Sequence, residues 1–331
     1  TMEEMSEVLE SKNKEFISHY DKDNFVKMTI NGMVLKIEAK RENTNGVYDL
    51  VIRNLDTWRS DFIDHAEFEN GYINRKIDLS EFDLSDFQGR NEVTVVIKNS
   101  SGDSNYKYRT VETYMIIDGE NIIFELSPVF EVNYFNMIKA RELNPEDYLS
   151  LDHIEENERE ELIELAKDIT HGIESDYEKL KAIHDWVVNN IYYDYDRYHR
   201  ILHPNDDLVH KSSEVYISNA YNTYKNRRGV CQGYAELTST LCRGVGIPAR
   251  TIRGYALGIS TSGAWDEESL SSPSTNHAWN EAFVDNRWVI LDTTWDTFNR
   301  YRNGHFSERD KRDLYFDISI ELLSNTHSTE Q

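Results

Sequence analysis

The chain has two thiols, Cys231 and Cys242, and both fall within RRGVCQGYAELTSTLCRG, residues 227–244. If this stretch is helical, the cysteines stand about 16 Å apart along its axis. A disulfide needs Cα atoms within about 7 Å, so the two do not bridge each other, and there is no third cysteine. Gly229 and Val230 deliver Cys231 to the helix start. Ala235, Thr238, Leu241, Cys242 and Val245 mark its periodic face, and Gly244, Gly246 and Pro248 end it. The first turn of a helix offers unpaired N–H groups and a positive dipole end. That setting favours a thiolate when a cation helps, and the same N–H groups can hold an oxyanion. Taken alone, a cysteine there is as readily a buried structural thiol as a nucleophile. Cys242, three turns further on the apolar side, reads as packing.

A base and an orienting carboxylate are available in NHAWNEAFV and RWVILDTTW, joined by Asp285-Asn286. If those two residues form a two-residue turn, Val284 faces Arg287, Trp279 faces Asp292 and His277 faces Thr294. His277 and Asp292 are then diagonal neighbours on one face, about 7–8 Å apart along the ladder, within reach of leaning side chains. A three-residue loop without a bulge would place them on opposite faces. Cys231, His277 and Asp292 can thus form a nucleophile, a proton carrier and an orienting carboxylate. A lone strand histidine or a lone Asp at a strand end usually has a duller role, packing or capping. The joint arrival of all three favours chemistry.

GVCQGYAELTSTLCRGVGIPAR followed by NHAWNEAFVDNRWVILDTTWD resembles the transglutaminase-like superfamily of papain-related cysteine enzymes, in a bacterial-type form. The resemblance spans roughly 176–326 and is densest over 227–296. It implies a catalytic set at Cys231, His277 and Asp292, acting on protein or peptide amides through a thioester with no metal or organic cofactor. Bacterial-type members point to hydrolysis, as peptidase or deamidase, rather than cross-linking to an amine. In better-known members a Trp after an Asn-Ile pair helps hold the oxyanion. Here Asn190-Ile191-Tyr192-Tyr193 puts Tyr193 in that place, either as a hydroxyl donor or as a packing residue. Gln232 is a second candidate donor or a substrate contact. Trp279, Trp288 and Trp295 read as packing or cleft walls. The rival class is a non-catalytic interaction scaffold of the same fold.

Other constellations are weaker. His199 and His203 have metal-ligand spacing on a helix, but no Glu follows His199 and Pro204 breaks the pattern; a metal hydrolase using the histidines of 199–210 is the third reading. His184 falls on an apolar helix stripe and reads as core. Acidic runs such as DLSEFDLSD lack calcium-loop spacing. The chain carries a net charge of −24, with 60 acidic against 36 basic residues, so a nucleic-acid partner is not expected. Acid is densest over 142–178, where Arg159 and Lys167 stand among 14 carboxylates. This is a solvated face or an attractor of basic partners. No run approaches the length of a membrane-spanning helix. The start lacks the pattern of a signal peptide. Thr1 precedes Met2, and a secreted or cell-surface protein whose signal is missing from this chain is the expectation, although two free thiols also fit a reducing compartment.

The elements that must position these residues fall into two parts. The expected fold class is an α+β papain/transglutaminase-like catalytic domain over 141–331, preceded by an all-β, immunoglobulin-like sandwich over 25–140 and a polar lead-in over 1–24 that could be helical. Seven strand-like runs occupy 25–126, with Asn31-Gly32 and Asp118-Gly119 as hairpin turns. In the second part ENEREELIELAKDITHG reads as a helix stopped by Gly172. Ser175 and Glu178 form a capping box opening a helix with apolar residues at 180, 183, 187, 188 and 191. A looser segment follows over 192–212, then a helix ended by Asn226 and Gly229. ARTIRGYAL reads as a strand and 258–276 as a loop, and helices followed by strands indicate α+β.

Overall fold

The computed structural model describes residues 7–8, 15–21, 24–40, 46–98, 108–125, 129–205, 216–257, 275–309 and 313–330. Nearly all of the loop expected over 258–276, and His210, lie outside them. Two compact units divide the chain between residues 135 and 136 rather than at 140, and Ser319–Ser328 groups with the first unit. The expected stretch 141–331 is therefore interrupted. Periodicity shows that a segment forms an element, not which core receives it.

The first unit holds two antiparallel sheets. One has the order β1-β2-β3-β6: Glu15–Asp21, Asn24–Asn31, Val34–Lys40 and Tyr72–Asp78. The other has the order β5-β4-β7-β8-β9: Ser60–Glu67, Val47–Asn54, Gly89–Lys98, Tyr108–Asp118 and Asn121–Glu125. Alternate residues are buried, such as Val26, Met28 and Ile30 on β2, Leu35, Ile37 and Ala39 on β3, and Tyr48, Leu50 and Ile52 on β4, the period-2 signature of strands with one dry face. Two strands escape the sequence reading. The lead-in expected over 1–24 contains β1, and β5 was not expected at all. Both are edge strands, and β5 buries only Ile63; an edge strand needs little apolar alternation and tolerates charge. The two early hairpin turns are shifted by one residue. Asn31 pairs with Val34 and Asp118 with Asn121, because Gly32 and Gly119, at φ 59° and 58°, take the first loop position.

Helix α1, Phe130–Ala140, leads into the second unit. There α2 (Glu156–Ile169) and α3 (Asp176–Asn190) follow, with Ser175 Oγ accepting the Glu178 N–H at 3.4 Å as the N-cap; the return bond from the Glu178 side chain that would complete the expected capping box is not made. The segment expected to be loose begins with strand β10, Tyr192–Asp194, and helix α4, Tyr195–Leu202. Next come α5 (Ala220–Asn226), β11 (Arg228–Gly229) and α6 (Cys231–Gly244). Strands β12 (Ala249–Ala256), β13 (His277–Val284) and β14 (Arg287–Leu291) run antiparallel in the order β14-β13-β12. The single turn α7 (Thr293–Asp296) and the β15–β16 hairpin (Arg300–Arg302, His305–Ser307) follow, β15 lying parallel to β10.

Helix α6 organises this unit. Nine of its fourteen residues are buried, which marks a core helix rather than a surface one. Leu237, Leu241 and Cys242 meet Leu162 and Ala166 of α2, Ile183 and Val187 of α3, and Ala282 and Leu291 of the sheet. The five apolar positions expected on α3 are all buried. The first turn of α6 is held against α5 with no room to spare. A Cβ added at Gly233 would lie 2.3 Å from Thr223 Oγ1 and 3.3 Å from Ser218 Oγ. Gly233→Ala is therefore expected to destabilise the protein by about 1–3 kcal/mol through overpacking. The double variant Gly233→Ala/Thr223→Ala, which removes the clashing hydroxyl, should recover part of that loss in chemical denaturation. A double variant no more stable than the single one would refute this account.

Candidate active site

Cys231 is the first residue of α6, and Val230 at the N-cap supplies no side-chain cap. Valine has no acceptor to offer, so the N–H groups of the first turn stay open and the dipole end faces Cys231. Strand β11 aims this turn by pairing parallel to β10, with Tyr193 opposite Gly229. Buried Asp194 supports the junction: its Oδ1 accepts the Arg197 N–H at 2.9 Å, its Oδ2 accepts the Tyr216 hydroxyl at 2.8 Å, and Arg228 Nε stands 3.3 Å from Oδ2.

The hairpin β13–β14 delivers the other two groups. Asp285 and Asn286 have φ of 51° and 61°, both positive as a two-residue type I′ turn requires. Val284 pairs with Arg287 and Asn280 with Leu291. This is the register that the two-residue turn implies. Beyond Leu291 the strand ends, and Asp292 becomes the N-cap of α7. Its Oδ1 accepts the N–H groups of Thr294 and Trp295 at 2.9 and 3.1 Å, while Oδ2 lies 2.6 Å from His277 Nε2. The capping role expected of an ordinary strand-end Asp and the contact with histidine coexist, one oxygen serving each.

His277, Asp292 and Cys231 act on one another's charge. Burial alone would lower the pKa of His277, but the charge and hydrogen bond of Asp292, with the Cys231 contact, push it up to about 10. Burial also works against the Cys231 thiolate. Its hydrogen bond with His277, the imidazole charge and a hydrogen bond from the Ala278 backbone outweigh this and bring the thiol below its ordinary value. Each group thus favours the charged form of the other, thiolate beside imidazolium. Trp279 and Trp295 stand 5.9 and 6.0 Å from the His277 ring, measured between centroids, and shield it from water.

Tyr193 is close enough to Cys231 for the thiolate charge, after burial, to hold its phenol well above the ordinary range. The phenol therefore keeps its proton and remains a donor. Its ring packs against Tyr195, Tyr198 and Tyr234, so packing accounts for it as well. Gln232 is exposed on the same cleft as Cys231, but its amide is turned to Glu236 Oε1 at 2.9 Å. The cleft measures about 570 Å³ and is lined by polar groups of Glu236, Thr251, Arg253, Thr275 and Glu330 beside Cys231 and His277.

Cys242 is fully buried, and burial pushes its pKa up to about 12. His199 and His203 stack at the end of α4, and among the described residues neither joins a set of metal-ligating groups. His184 is buried, as its helix stripe indicated, but it is also paired, its Nε2 2.9 Å from Asp296 Oδ2. Asn280 was missed by sequence reasoning. Its Nδ2 donates to the Ala235 carbonyl at 2.8 Å and the Arg250 carbonyl at 3.3 Å, tying β13 to α6 and so His277 to Cys231. A polar residue in the middle of an apolar strand was the available signal, since a buried amide demands partners.

Residues 163–293 match the family described as the Transglutaminase-like superfamily. The kyphoscoliosis peptidase of Mus musculus is 30% identical over 134 residues, which are 40% of this chain and 18% of that protein. The uncharacterized protein YebA of Bacillus subtilis (strain 168) is 25% identical over 174 residues, 51% of this chain and 22% of its own. The chain thus spans about a fifth of the length of the curated relatives it matches. A solved structure from Cytophaga hutchinsonii, described as a candidate cysteine protease, covers 85% of this chain and 78% of its own, with a TM-score of 0.31 and 20% identity.

The two thiols should differ sharply. Iodoacetamide at a pH of about 6, where an ordinary thiol is almost wholly protonated, is expected to modify Cys231 and to spare Cys242 in the folded protein, as read by peptide mass spectrometry. Equal labelling of both, or of neither, would refute the charged-pair geometry.

Proposed function

We propose that the chain, whose residues 163–293 carry a transglutaminase-like core, is a cysteine-dependent acyl-transfer enzyme acting on protein or peptide amides, with hydrolysis as its main outcome. The observation that carries the proposal is the Cys231 thiol at an uncapped helix start, hydrogen-bonded to a buried His277 that rests on Asp292. The relative named as a peptidase supports the same class of reaction.

The thiolate Sγ of Cys231 attacks the amide carbonyl carbon, and the carbonyl oxygen takes the electron pair. In this reading the N–H groups of the uncapped first turn receive this oxyanion, with the Tyr193 hydroxyl as a further donor. As the C–N bond breaks, the imidazolium of His277 gives its proton to the leaving amine, and a thioester remains. Water then loses a proton to His277 and attacks the thioester, which releases the acid and restores the thiolate. Asp292 stabilises the imidazolium and, once the proton has left, fixes the tautomer of the neutral imidazole. Ammonia as leaving group makes this a deamidase, and a peptide amine makes it a peptidase. A lysine amine replacing water would give cross-linking. No step requires a metal or organic cofactor.

We read the first unit as an immunoglobulin-like sandwich. Strands β2-β3-β6 in one sheet and β5-β4-β7-β8 in the other, with each of the steps β3 to β4, β5 to β6 and β6 to β7 changing sheet, support that reading. Its role would be to position a large substrate.

Cys231→Ala is expected to lower turnover by at least about 1,000-fold, whereas Cys242→Ser should stay within a few-fold of wild type. Mass spectrometry of candidate proteins after incubation separates backbone cleavage, amide-to-acid conversion and amine joining. Turnover retained by Cys231→Ala would sink the mechanism. Activity should be bell-shaped in pH. It rises as the Cys231–His277 pair loses its first proton and falls as the imidazolium titrates near the elevated value of about 10; a profile without an alkaline limb would contradict the acid role of His277.

A further inference from the structure

Asp292 works only if α7 holds still, and α7 is a single turn of four residues. Isolated turns of that length do not persist in water, so its geometry must be imposed from outside. Among its contacts, Thr293 Oγ1 meets Thr238 Oγ1 of α6 at 3.1 Å, and the next residue, Thr297, donates its hydroxyl to the Val188 carbonyl of α3 at 3.0 Å. The strongest attachment lies at the last residue. Asp296 is fully buried, both of its oxygens accept the Tyr315 N–H at 3.1 Å, and Oδ2 faces His184 Nε2 at 2.9 Å. The Asp296 N–H donates to the Asp292 carbonyl at 3.2 Å, so a displacement of Asp296 is passed directly to Asp292.

The surroundings of His184 favour its protonated form. Its Nδ1 lies 3.0 Å from Asp185 Oδ1 on its own helix. Lys181, one turn back, binds the same carboxylate oxygen at 2.6 Å and stands 3.5 Å from Asp313. The Phe316 ring covers the imidazole, with centroids 5.0 Å apart. Burial and Lys181 oppose protonation, but hydrogen bonds with Asp185 and Asp296 and the charge of Asp296 prevail, and the pKa of His184 is raised.

We infer that His184 and Asp296 form a second, buried histidine–aspartate pair whose function is to position the carboxylate of Asp292. Both residues are positioning residues: each acts through the turn that Asp292 caps. The inference rests on the role proposed above for Asp292. Misplacement of a positioned group by about 1 Å can cost on the order of 100-fold in rate, which is why a directional polar pair in the interior is useful here even where apolar packing would be as stable.

The test uses the full chain in a Cys242→Ser background, so that Cys231 alone reports. The rate of iodoacetamide modification is followed against pH in the parent, His184→Gln, Asp296→Asn and Val187→Ala, the last removing buried apolar bulk from α3 and no polar group. Both pair variants should lose about 10-fold or more of Cys231 reactivity at mildly acidic pH, with the reactivity midpoint moved toward that of an ordinary thiol. Val187→Ala should lower the Tm and keep the parent profile. Pair variants with lower Tm and the parent profile would overturn the inference and leave the nucleophile reading intact. A parent with the profile of an ordinary thiol overturns both. If His184→Gln does not fold, Asp296→Asn decides alone, since its remaining carbonyl oxygen still accepts the Tyr315 N–H.

Discussion

A buried imidazole carries a charge only where a carboxylate stands beside it, and the contact between His277 and Asp292 at 2.6 Å meets that condition. Desolvation at His277 disfavours the proton, and Asp292 more than reverses it. The lowered pKa of Cys231 depends in turn on that imidazolium, because the thiol is itself buried against its own ionisation. Without Asp292 the histidine would tend to neutrality and the thiolate would lose its counter-ion. The proposed chemistry thus hangs on a carboxylate that does not meet the substrate.

The architecture of the second unit can be understood as the means of holding those three groups still. A tight I′ turn sets the parity of β13 and β14, so that His277 and the end of β14 share a face. Asn280 pins β13 to the backbone of α6, and the absence of a Cβ at Gly233 lets α5 press on the first turn of α6. Parallel pairing of β10 with β11 brings Tyr193 opposite Gly229. These are polar or steric devices laid over an apolar core of α2, α3 and α6. The core supplies the burial that gives the charges their strength, and the devices supply direction.

Sequence legibility followed the range of the interactions. The N-cap at Ser175, the apolar stripe of α3 and the Asp285-Asn286 turn are local, and the structure contains each of them. Strands β1 and β5 were not legible; β5 buries only Ile63, whereas the edge strands β6 and β9, each with two buried apolar residues, could be read. The two early glycine turns were placed one residue off, since a glycine can take the positive φ at either loop position of a two-residue turn and here takes the first. The pairing of His184 with Asp296, 112 residues apart, leaves no periodic trace. The only signals of such partners are a polar residue in mid-strand, Asn280, and a histidine on the apolar stripe of α3.

The residues themselves, by type and spacing, determined which groups are candidates for chemistry and which of them share a strand face, because a two-residue turn fixes side-chain parity whatever surrounds it. The tertiary structure decided their charge states. Whether Cys231 is a thiolate, His277 an imidazolium and Cys242 an inert thiol depends on what lies within a few ångströms in a dry interior. Those neighbours come from segments tens of residues away, and folding alone brings them together.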